Sequence, residues 1–216
     1  NSMYVKNRMT ANPYTISYNA PIHDLMELMR EKNLKRVPVV KGEQVVGIVT
    51  DGDLHKVSPT KATSLSIYEL NYLLSKLTVS EAMTKDVITI SPEALLEEAA
   101  VLMRENRISA LAVVENNKLV GIITESDIFD AFIDILGSRE TGTRITIEAL
   151  DAPGVLANIT EIFRDFNSNI THIVASGDTG DKRDIVIRTQ SIDTNAIEEK
   201  LTENGYKIKH ILRNQN

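Results

Sequence analysis

Apolar and polar positions alternate along the chain in two blocks of similar pattern. Each block begins with a short strand-like run, at residues 14–16 and 87–90, and continues into a helix of about twelve residues with an apolar stripe. The stripe positions are Ile22, Leu25, Met26 and Met29 in the first block and Leu95, Ala99, Leu102 and Met103 in the second. Two further apolar runs follow in each block, separated by a polar turn, and a second helix comes after them. We therefore expect the order strand, helix, strand, strand, helix twice in succession.

The two blocks are copies of one another, because residues 9–54 align with residues 83–128 at an offset of 74 and without a gap. An internal repeat of this kind decides the fold and must be recognised first. The main shared motif is a glycine, two aliphatic residues, a threonine, two spacers and an aspartate. Its fixed positions are Gly47, Thr50 and Asp53 in the first copy and Gly121, Thr124 and Asp127 in the second.

Each motif has the pattern of a strand that ends and a helix that begins. Threonine caps helices, and an acid is favourable in the first turn. One Thr-x-x-Asp alone is usually a cap and nothing more, but two copies in matching contexts indicate a shared role. Helix N-termini attract phosphate, and a carboxylate there can accept hydrogen bonds from ribose hydroxyls. The motif therefore predicts nucleotide recognition.

Residues 1–135 resemble a pair of CBS domains. The resemblance rests on Met-Thr before the first strand of each copy, on Arg36-Val37-Pro38-Val39-Val40, and on the two Thr-x-x-Asp motifs. It implies a pseudo-two-fold disc whose two clefts bind an adenosine nucleotide (AMP, ADP or ATP) or a relative such as S-adenosylmethionine or cyclic di-AMP. It also implies that the aspartate binds the ribose hydroxyls and that the threonine binds the phosphate. The first strand and the Val-Pro-Val strand would enclose the adenine. The nucleotide-binding residues that it implies are Thr15, Ile16, Arg36, Val37, Pro38, Thr50, Asp53, Thr89, Ile90, Leu111, Thr124 and Asp127.

The two copies differ in charge. The first has Arg36 before Val37-Pro38, whereas the second has Ala110 before Leu111-Ala112. A guanidinium is a good phosphate partner. We therefore predict that the cleft containing Thr50 and Asp53 binds the more highly charged nucleotide, and that the other cleft is weaker or prefers a nucleoside-like ligand.

Residues 55–78 separate the copies. Residues 55–64 have loop-like composition, and Ser66 with Glu69 has capping-box spacing. An apolar helical face follows, formed by Leu70, Leu73, Leu74 and Leu77. This face either covers the core of the chain, makes a dimer contact, or gates a cleft.

From residue 143 the pattern changes to the order βαββαβ, which is the ferredoxin-like arrangement. Gly137 ends the preceding helix, and a polar linker occupies residues 137–142. The new helix is predicted to carry its apolar face on Val155, Leu156, Ile159, Ile162, Phe163 and Phe166. The fold class is thus α+β, with a CBS pair (copies at about 3–57 and 77–136, a linker helix between them) and a smaller domain at 143–213.

This second region resembles an ACT domain. The resemblance is carried by the turn from Asp151 through Pro153, Gly154 and Val155 to Leu156, and by Asn169-Ile170 at the next strand. It implies an amino acid or other small-molecule ligand at Asp151, Pro153, Gly154, Val155, Leu156, Asn169 and Ile170. Pro153 suits the first helical position, and Gly154 would let the backbone approach a ligand. Ala152 stands where the family usually has a basic residue, and the turn alone would also explain this sequence.

A CBS pair followed by an ACT domain is similar to the AcuB-type acetoin-utilisation family. That resemblance implies a regulatory protein that controls an unidentified partner, and a homodimer formed through either module. The alternatives are a structural module with vestigial clefts and an enzyme acting on bound nucleotide.

Composition limits these alternatives. The net charge is −6, which argues against nucleic acid as a partner. No apolar run approaches the roughly 20 residues that span a bilayer, so we expect no membrane insertion and a cytoplasmic location. There is no cysteine, the four histidines are scattered, and no phosphate-binding Gly-Lys-Ser/Thr motif occurs. We therefore expect no catalysis and no required metal.

Overall fold

A computed structural model describes residues 3–57 and 66–214 of the chain. They form two compact units, Asn1–Phe129 and Asp130–Asn216. The predicted α+β class is confirmed, with helices and mixed sheets in the first unit and a four-stranded antiparallel sheet with two helices in the second.

The first unit contains the two repeats, each folded in the predicted order. The first copy consists of β1 (Thr10–Ala11), β2 (Ile16–Ser17), α1 (Ile22–Glu31), β3 (Arg36–Lys41), β4 (Gln44–Thr50) and α2 (Asp51–Val57). Between the copies lie α3 (Ile67–Lys76) and the single turn α4 (Val79–Ala82). The second copy consists of β5 (Thr89–Ile90), α5 (Leu96–Asn106), β6 (Ala110–Glu115), β7 (Lys118–Thr124) and α6 (Glu125–Ile135).

The first segment of each copy pairs with a strand of the other copy. β1 pairs antiparallel with β7 of the second copy, and Thr84 pairs in the same way with Ile48 of β4. The sheets are therefore β1-β7-β6-β5 and β2-β3-β4, the latter extended by Thr84. Further upstream, the N–H of Val5 donates to Ala94 O at 2.9 Å, and the N–H of Val79 donates to Ala20 O at 2.9 Å. The pair is thus held together by backbone hydrogen bonds that run in both directions between the copies.

The glycine of each motif is explained by this exchange. A Cβ on Gly47 would lie 2.4 Å from Met83 Sδ, and a Cβ on Gly121 would lie 2.4 Å from Met9 Sδ. The Met-Thr sequence and the glycine therefore form one contact, in which the methionine of one copy packs against the bare backbone of the other. Only glycine permits so close an approach.

The second unit folds as predicted, with the order β8 (Gly142–Leu150), α7 (Val155–Asp165), β9 (Ile170–Thr179), β10 (Lys182–Thr189), α8 (Asn195–Glu203) and β11 (Lys207–Asn214). The sheet order β11-β8-β10-β9 is the ferredoxin-like arrangement. One face of this sheet packs on α7 and α8 through a core of fully buried side chains that includes Ile145, Ile187 and Phe163.

Several sequence predictions need correction. Leu156 and Phe166 are each 44% exposed, because they lie at the two ends of α7, away from Ile159, Ile162 and Phe163. Pro153 is not the first helical residue: Gly154 caps α7, and the helix begins at Val155. Residues 55–57 belong to α2 and not to a loop. The capping box at Ser66 and Glu69 is present at the start of α3. Of the predicted apolar face, Leu77 lies just after α3 and packs half-buried against the core of the first copy. The side chains of Leu70, Leu73 and Leu74, and residues 58–65, lie outside what the structure describes.

Candidate functional site

The junction between β4 and α2 is held by one carboxylate. Asp53 Oδ2 accepts hydrogen bonds from the N–H of Thr50 at 3.0 Å and from its hydroxyl at 2.8 Å, while Oδ1 accepts from Lys56 Nζ at 3.0 Å. The Asp53 side chain is 13% exposed. Burial alone would raise the pKa of Asp53, but the hydrogen bonds from Thr50 and Lys56 and the charge of Lys56 together lower the pKa. The carboxylate is therefore ionised and fixed in place at neutral pH.

The junction between β7 and α6 repeats this arrangement. Asp127 Oδ2 accepts from the N–H and from the hydroxyl of Thr124, both at 2.7 Å. The cation is not repeated, because Asp130 occupies the position that Lys56 has in the first copy. The two junctions thus share their geometry and differ in charge.

A cleft of about 330 Å³ opens at the first junction. Its polar lining from the first copy is Arg36, Thr50 and Asp53. Its remaining walls come mostly from the second copy and comprise Thr84, Asp86, Val87, Ile88, Arg107, Ile108, Ser109, Ala110 and Ala112, with Ile48 of β4 completing them. The volume lies within the range of small-molecule sites, about 300–1,000 Å³. The cleft therefore combines an apolar wall, a fixed carboxylate and two guanidinium groups.

Arg36 occupies a central position in this cleft. Its Cα is paired with that of Thr50 across β3 and β4, and its Nη1 donates to Ser109 O at 2.5 Å. The N–H of Glu125, the first residue of α6, donates to the same Ser109 oxygen at 3.1 Å. Arg36 thus joins the first cleft to the backbone at the second junction.

The structure brings together only part of the predicted nucleotide site. Arg36, Thr50 and Asp53 line one cleft, but the side chains of Val37 and Leu111 are fully buried in the core. Because side chains alternate along a strand, Ala110 and Ala112 face the cleft where Leu111 does not. Pro38 and Ile90 are buried as well, Thr15 and Thr89 are exposed, and Ile16 is half-buried at the start of β2.

Ala110 also contributes to the first cleft. The difference between Ala110 and Arg36 was predicted to distinguish the two clefts, yet both residues line the cleft of Thr50 and Asp53. The exchange of first segments between the copies causes this crossing. The pairing of Met-Thr with the glycine of the other copy was the signal that could have revealed it.

The predicted ligand residues of the second unit fall into two groups. Asp151 Oδ2 pairs with Arg183 Nε at 2.7 Å, and Gly154 has a φ of 85°, which glycine tolerates better than other residues. Pro153 and Leu156 are exposed, and Val155 begins α7 half-buried. Asn169 and Ile170 instead line a shallow cavity of about 380 Å³ with Thr160, Arg164, Asn167 and Ser168. One chain does not bring the two groups into that cavity together.

Membrane-spanning helices and metal-binding clusters are both absent from the described residues. Within residues 3–57 and 66–214, no helix is both long and apolar enough to cross a membrane. Over the same part of the chain, no cluster of three or more His, Asp or Glu side chains is placed to hold a metal ion.

Two family models match the sequence. The model of the CBS domain matches residues 5–59 and 79–134, and the model of the ACT domain matches residues 143–205. Among curated proteins, the inosine-5′-monophosphate dehydrogenase of Thermoplasma acidophilum is 34% identical over 69% of this chain. This chain spans 28% of the length of that enzyme.

Several solved structures are matched over nearly their whole length. A protein of Vibrio cholerae that is assigned as an acetoin utilization protein (AcuB) has a TM-score of 0.52 and 30% identity to this chain. The match covers 64% of this chain and 96% of that protein. CBSX2 in complex with AMP has a TM-score of 0.51 and 28% identity, covering 62% of this chain and 98% of its own. The CBS pair of protein MJ0100, solved with 5′-methylthioadenosine and S-adenosyl-L-methionine, has a TM-score of 0.50 and 27% identity, covering 63% and 98%.

Proposed function

Because the chain belongs to the CBS-domain family and carries an ACT domain after its CBS pair, we propose that it is a non-catalytic sensor of adenosine nucleotides. The observation that carries the proposal is the cleft at Thr50 and Asp53, where a fixed carboxylate, an apolar wall and two arginines converge. Structural relatives with AMP or with S-adenosyl-L-methionine support an adenosine ligand.

The chemistry of the cleft fits an adenosine monophosphate or polyphosphate. Ile88, Ile108 and Ala112 offer an apolar surface to a flat base. A carboxylate has about four lone-pair sites, and three are used by Thr50 and Lys56, so that Asp53 can still accept from a ribose hydroxyl. Arg36 and Arg107 supply charge for phosphate.

The second junction has a different balance of charge. Asp130 replaces Lys56 there and pairs with Arg139, so Asp127 lacks the neighbouring lysine that Asp53 has. Fewer cations beside the junction favour a phosphate chain less. We infer that this cleft binds a nucleoside-like ligand or binds more weakly, as the difference between the copies predicts.

The ACT domain, at residues 143–213 after a linker at 137–142, would bind an amino acid or other small molecule between two subunits. A homodimer would complete such a site, since Asn169 and Ile170 line a cavity to which none of Asp151–Leu156 contributes. The sensor would act by differential affinity: a ligand that prefers one conformation shifts the population toward it and changes how a partner protein is engaged. We also propose a role in acetoin utilisation, which the AcuB-like structural relative supports.

Isothermal titration calorimetry tests the function. AMP, ADP, ATP, S-adenosylmethionine and cyclic di-AMP are titrated into the wild type and into Asp53→Asn and Asp127→Asn. The nucleotide sensor is supported if one of these compounds binds and each substitution abolishes binding at its own site. If none of the five compounds binds, the proposal is rejected in favour of a structural module with vestigial clefts. Turnover of ATP that disappears in Asp53→Asn would instead indicate an enzyme.

A further inference from the structure

A row of three cationic or titratable side chains crosses the helix-free face of the ACT sheet. Arg188 of β10 is paired in register with Arg144 of β8 on one side and with His172 of β9 on the other. Ile187, the neighbour of Arg188, is fully buried under the helices, so Arg188 points to the opposite face. We refer to Arg144, Arg188 and His172 as the basic row.

A short segment covers the basic row. Arg188 Nη1 donates to Glu140 O at 3.1 Å, and Asn214 Nδ2 donates to Ser138 O and Glu140 O, both at 3.4 Å. Gly137 fits closely here, since a Cβ on it would lie 2.6 Å from His172 Nδ1 and 2.8 Å from Arg188 Cδ. We refer to residues 137–140 as the covering segment.

Arg188 is buried in an unusual way. It is 2% exposed, and its Nε makes no hydrogen bond within the part of the chain that the structure describes. Burial lowers the pKa of Arg188, the charge of Arg144 lowers it further, and the carboxylate of Glu140 opposes both. A buried guanidinium with an unmade hydrogen bond is unfavourable unless an anion compensates it.

Glu140 is the carboxylate that faces the row. Its Oε2 lies 3.6 Å from His172 Nδ1, its side chain is half exposed, and its charge acts on Arg188. Because Glu140 is partly in solvent, its side chain can be displaced at little cost. The arrangement is that of a cationic surface covered by a weakly held internal carboxylate.

We propose that the basic row is a binding site for a small oxyanion, a carboxylate or a phosphate, and that the covering segment competes with this ligand through Glu140. Two guanidinium groups on adjacent strands match the paired oxygens of such an anion. Entry of the ligand displaces the Glu140 side chain, leaves Arg188 hydrogen-bonded through Nε, and loosens residues 137–140. The site is therefore also a control point for the segment that follows α6.

This site is separate from the turn at Asp151–Leu156. Asp151 follows β8, whose last residue, Leu150, is six positions from Arg144, a distance of about 20 Å at 3.3 Å per residue. Anion binding at the basic row does not require nucleotide binding in the CBS clefts.

Two-dimensional NMR of the full chain tests the proposal. Sodium phosphate and sodium acetate are titrated separately, with sodium chloride at matched ionic strength, while backbone amides of 137–144 and the Nε–H signals of the arginines are followed. We expect saturable shifts at Arg188 with phosphate or acetate and none with chloride. The anion that binds more tightly shows whether phosphate or carboxylate is the preferred chemistry.

Four variants make the test specific. Glu140→Gln removes the competing charge, and Gly137→Ala displaces the segment without changing charge, so each should tighten anion binding by about threefold to fivefold. Arg144→Gln, which removes the guanidinium that donates to Thr146 Oγ1, should abolish the shifts. Lys209→Gln, which removes a cation of the same sheet that pairs with Asp184, should leave binding unchanged.

The proposal is overturned if Glu140→Gln and Gly137→Ala bind no more tightly than the wild type, or if Arg144→Gln retains the shifts. A loss as large in Lys209→Gln as in Arg144→Gln would reduce the effect to general charge. Nucleotide calorimetry on the same variants should match the wild type, which separates failure of this site from failure of the CBS clefts.

Discussion

Arg36 of the first repeat donates a hydrogen bond from Nη1 to the carbonyl oxygen of Ser109 in the second repeat. That oxygen also accepts the N–H of Glu125, with which α6 begins. A phosphate that drew Arg36 away from Ser109 would remove one of the two donors at the start of α6. A single side chain thus connects the first cleft with the backbone at the other junction.

Arg36→Gln should weaken AMP binding by about tenfold to a hundredfold and leave adenosine binding nearly unchanged, because a charge-assisted hydrogen bond contributes about 1.5–3 kcal/mol. Calorimetry with the two ligands measures the difference. Arg104→Gln is the control, since it removes an exposed cation of α5 that does not line the cleft. Equal losses for AMP and adenosine would contradict a phosphate contact.

Asp53→Asn should flatten the acid side of the stability profile. The pKa of Asp53 is lowered in the folded protein. Its contribution to folding is therefore complete above its unfolded pKa of about 3.9 and is lost as pH falls through the lower folded value. Urea unfolding between pH 3 and pH 7 should show a difference between wild type and variant that is constant near neutrality and shrinks below about pH 4.

Asp51→Asn is the control for that experiment, since it removes an exposed carboxylate from the same helical turn. If the difference between Asp53→Asn and the wild type stayed constant down to pH 3, the carboxylate would not have the stabilising role that its hydrogen bonds indicate.

Gly47→Ala should destabilise the CBS pair by about 1–3 kcal/mol, because the added methyl overlaps Met83. Adding Met83→Ala should restore part of this loss. At the symmetric position, Met9→Ala should rescue Gly121→Ala less well, since a Cβ on Gly121 would also lie 3.2 Å from the backbone oxygen of Thr10. Denaturant unfolding measures all four variants.

Gly52→Ala provides the opposite expectation. Gly52 lies in α2 with only Thr50 Oγ1 near its Cβ position, at 3.7 Å. Alanine should therefore stabilise the helix by about 0.5–1 kcal/mol. A destabilisation as large as that of Gly47→Ala would show that the glycines matter for a reason other than the methionine contact.

Gly154→Ala should destabilise the ACT domain by about 1 kcal/mol through backbone conformation alone, since φ is 85° and its Cβ would meet open space. Gly154→Asn should cost less, because asparagine tolerates the left-handed region better. Thermal unfolding of the two variants compares them. Equal effects would point to a steric cause instead.

Much of the fold could be predicted from the sequence, because the repeat fixes the order of elements in the first unit and the change of periodicity at residue 143 marks the second. The strand that carries Leu111 was predicted correctly, but which of its side chains point into the cleft was not. A continuously apolar strand that is buried on both faces offers no polar residue to mark the cleft side. Ala110 and Ala112 face the cleft, and they carry no chemical signal in the sequence.

The site was only half predictable for a related reason. Thr50 and Asp53 lie three positions apart, and their hydrogen bonds are local consequences of a strand ending at a helix. Arg107 and Ile108 reach the same cleft from more than fifty positions away, through the pairing of Thr84 with Ile48. The covering of Arg188 by Gly137 and Glu140 is likewise a long-range contact that no local pattern encodes.

The exchange of first segments between the repeats has a consequence for protein synthesis. Val5 donates to Ala94, and Leu96 donates to Met3, so the start of the chain completes its hydrogen bonds only with residues made about ninety positions later. A first repeat that has just left the ribosome still lacks these partners and the methionine that packs on Gly47. We therefore expect the nascent first half to remain unfolded, or to need a chaperone, until the second repeat has emerged.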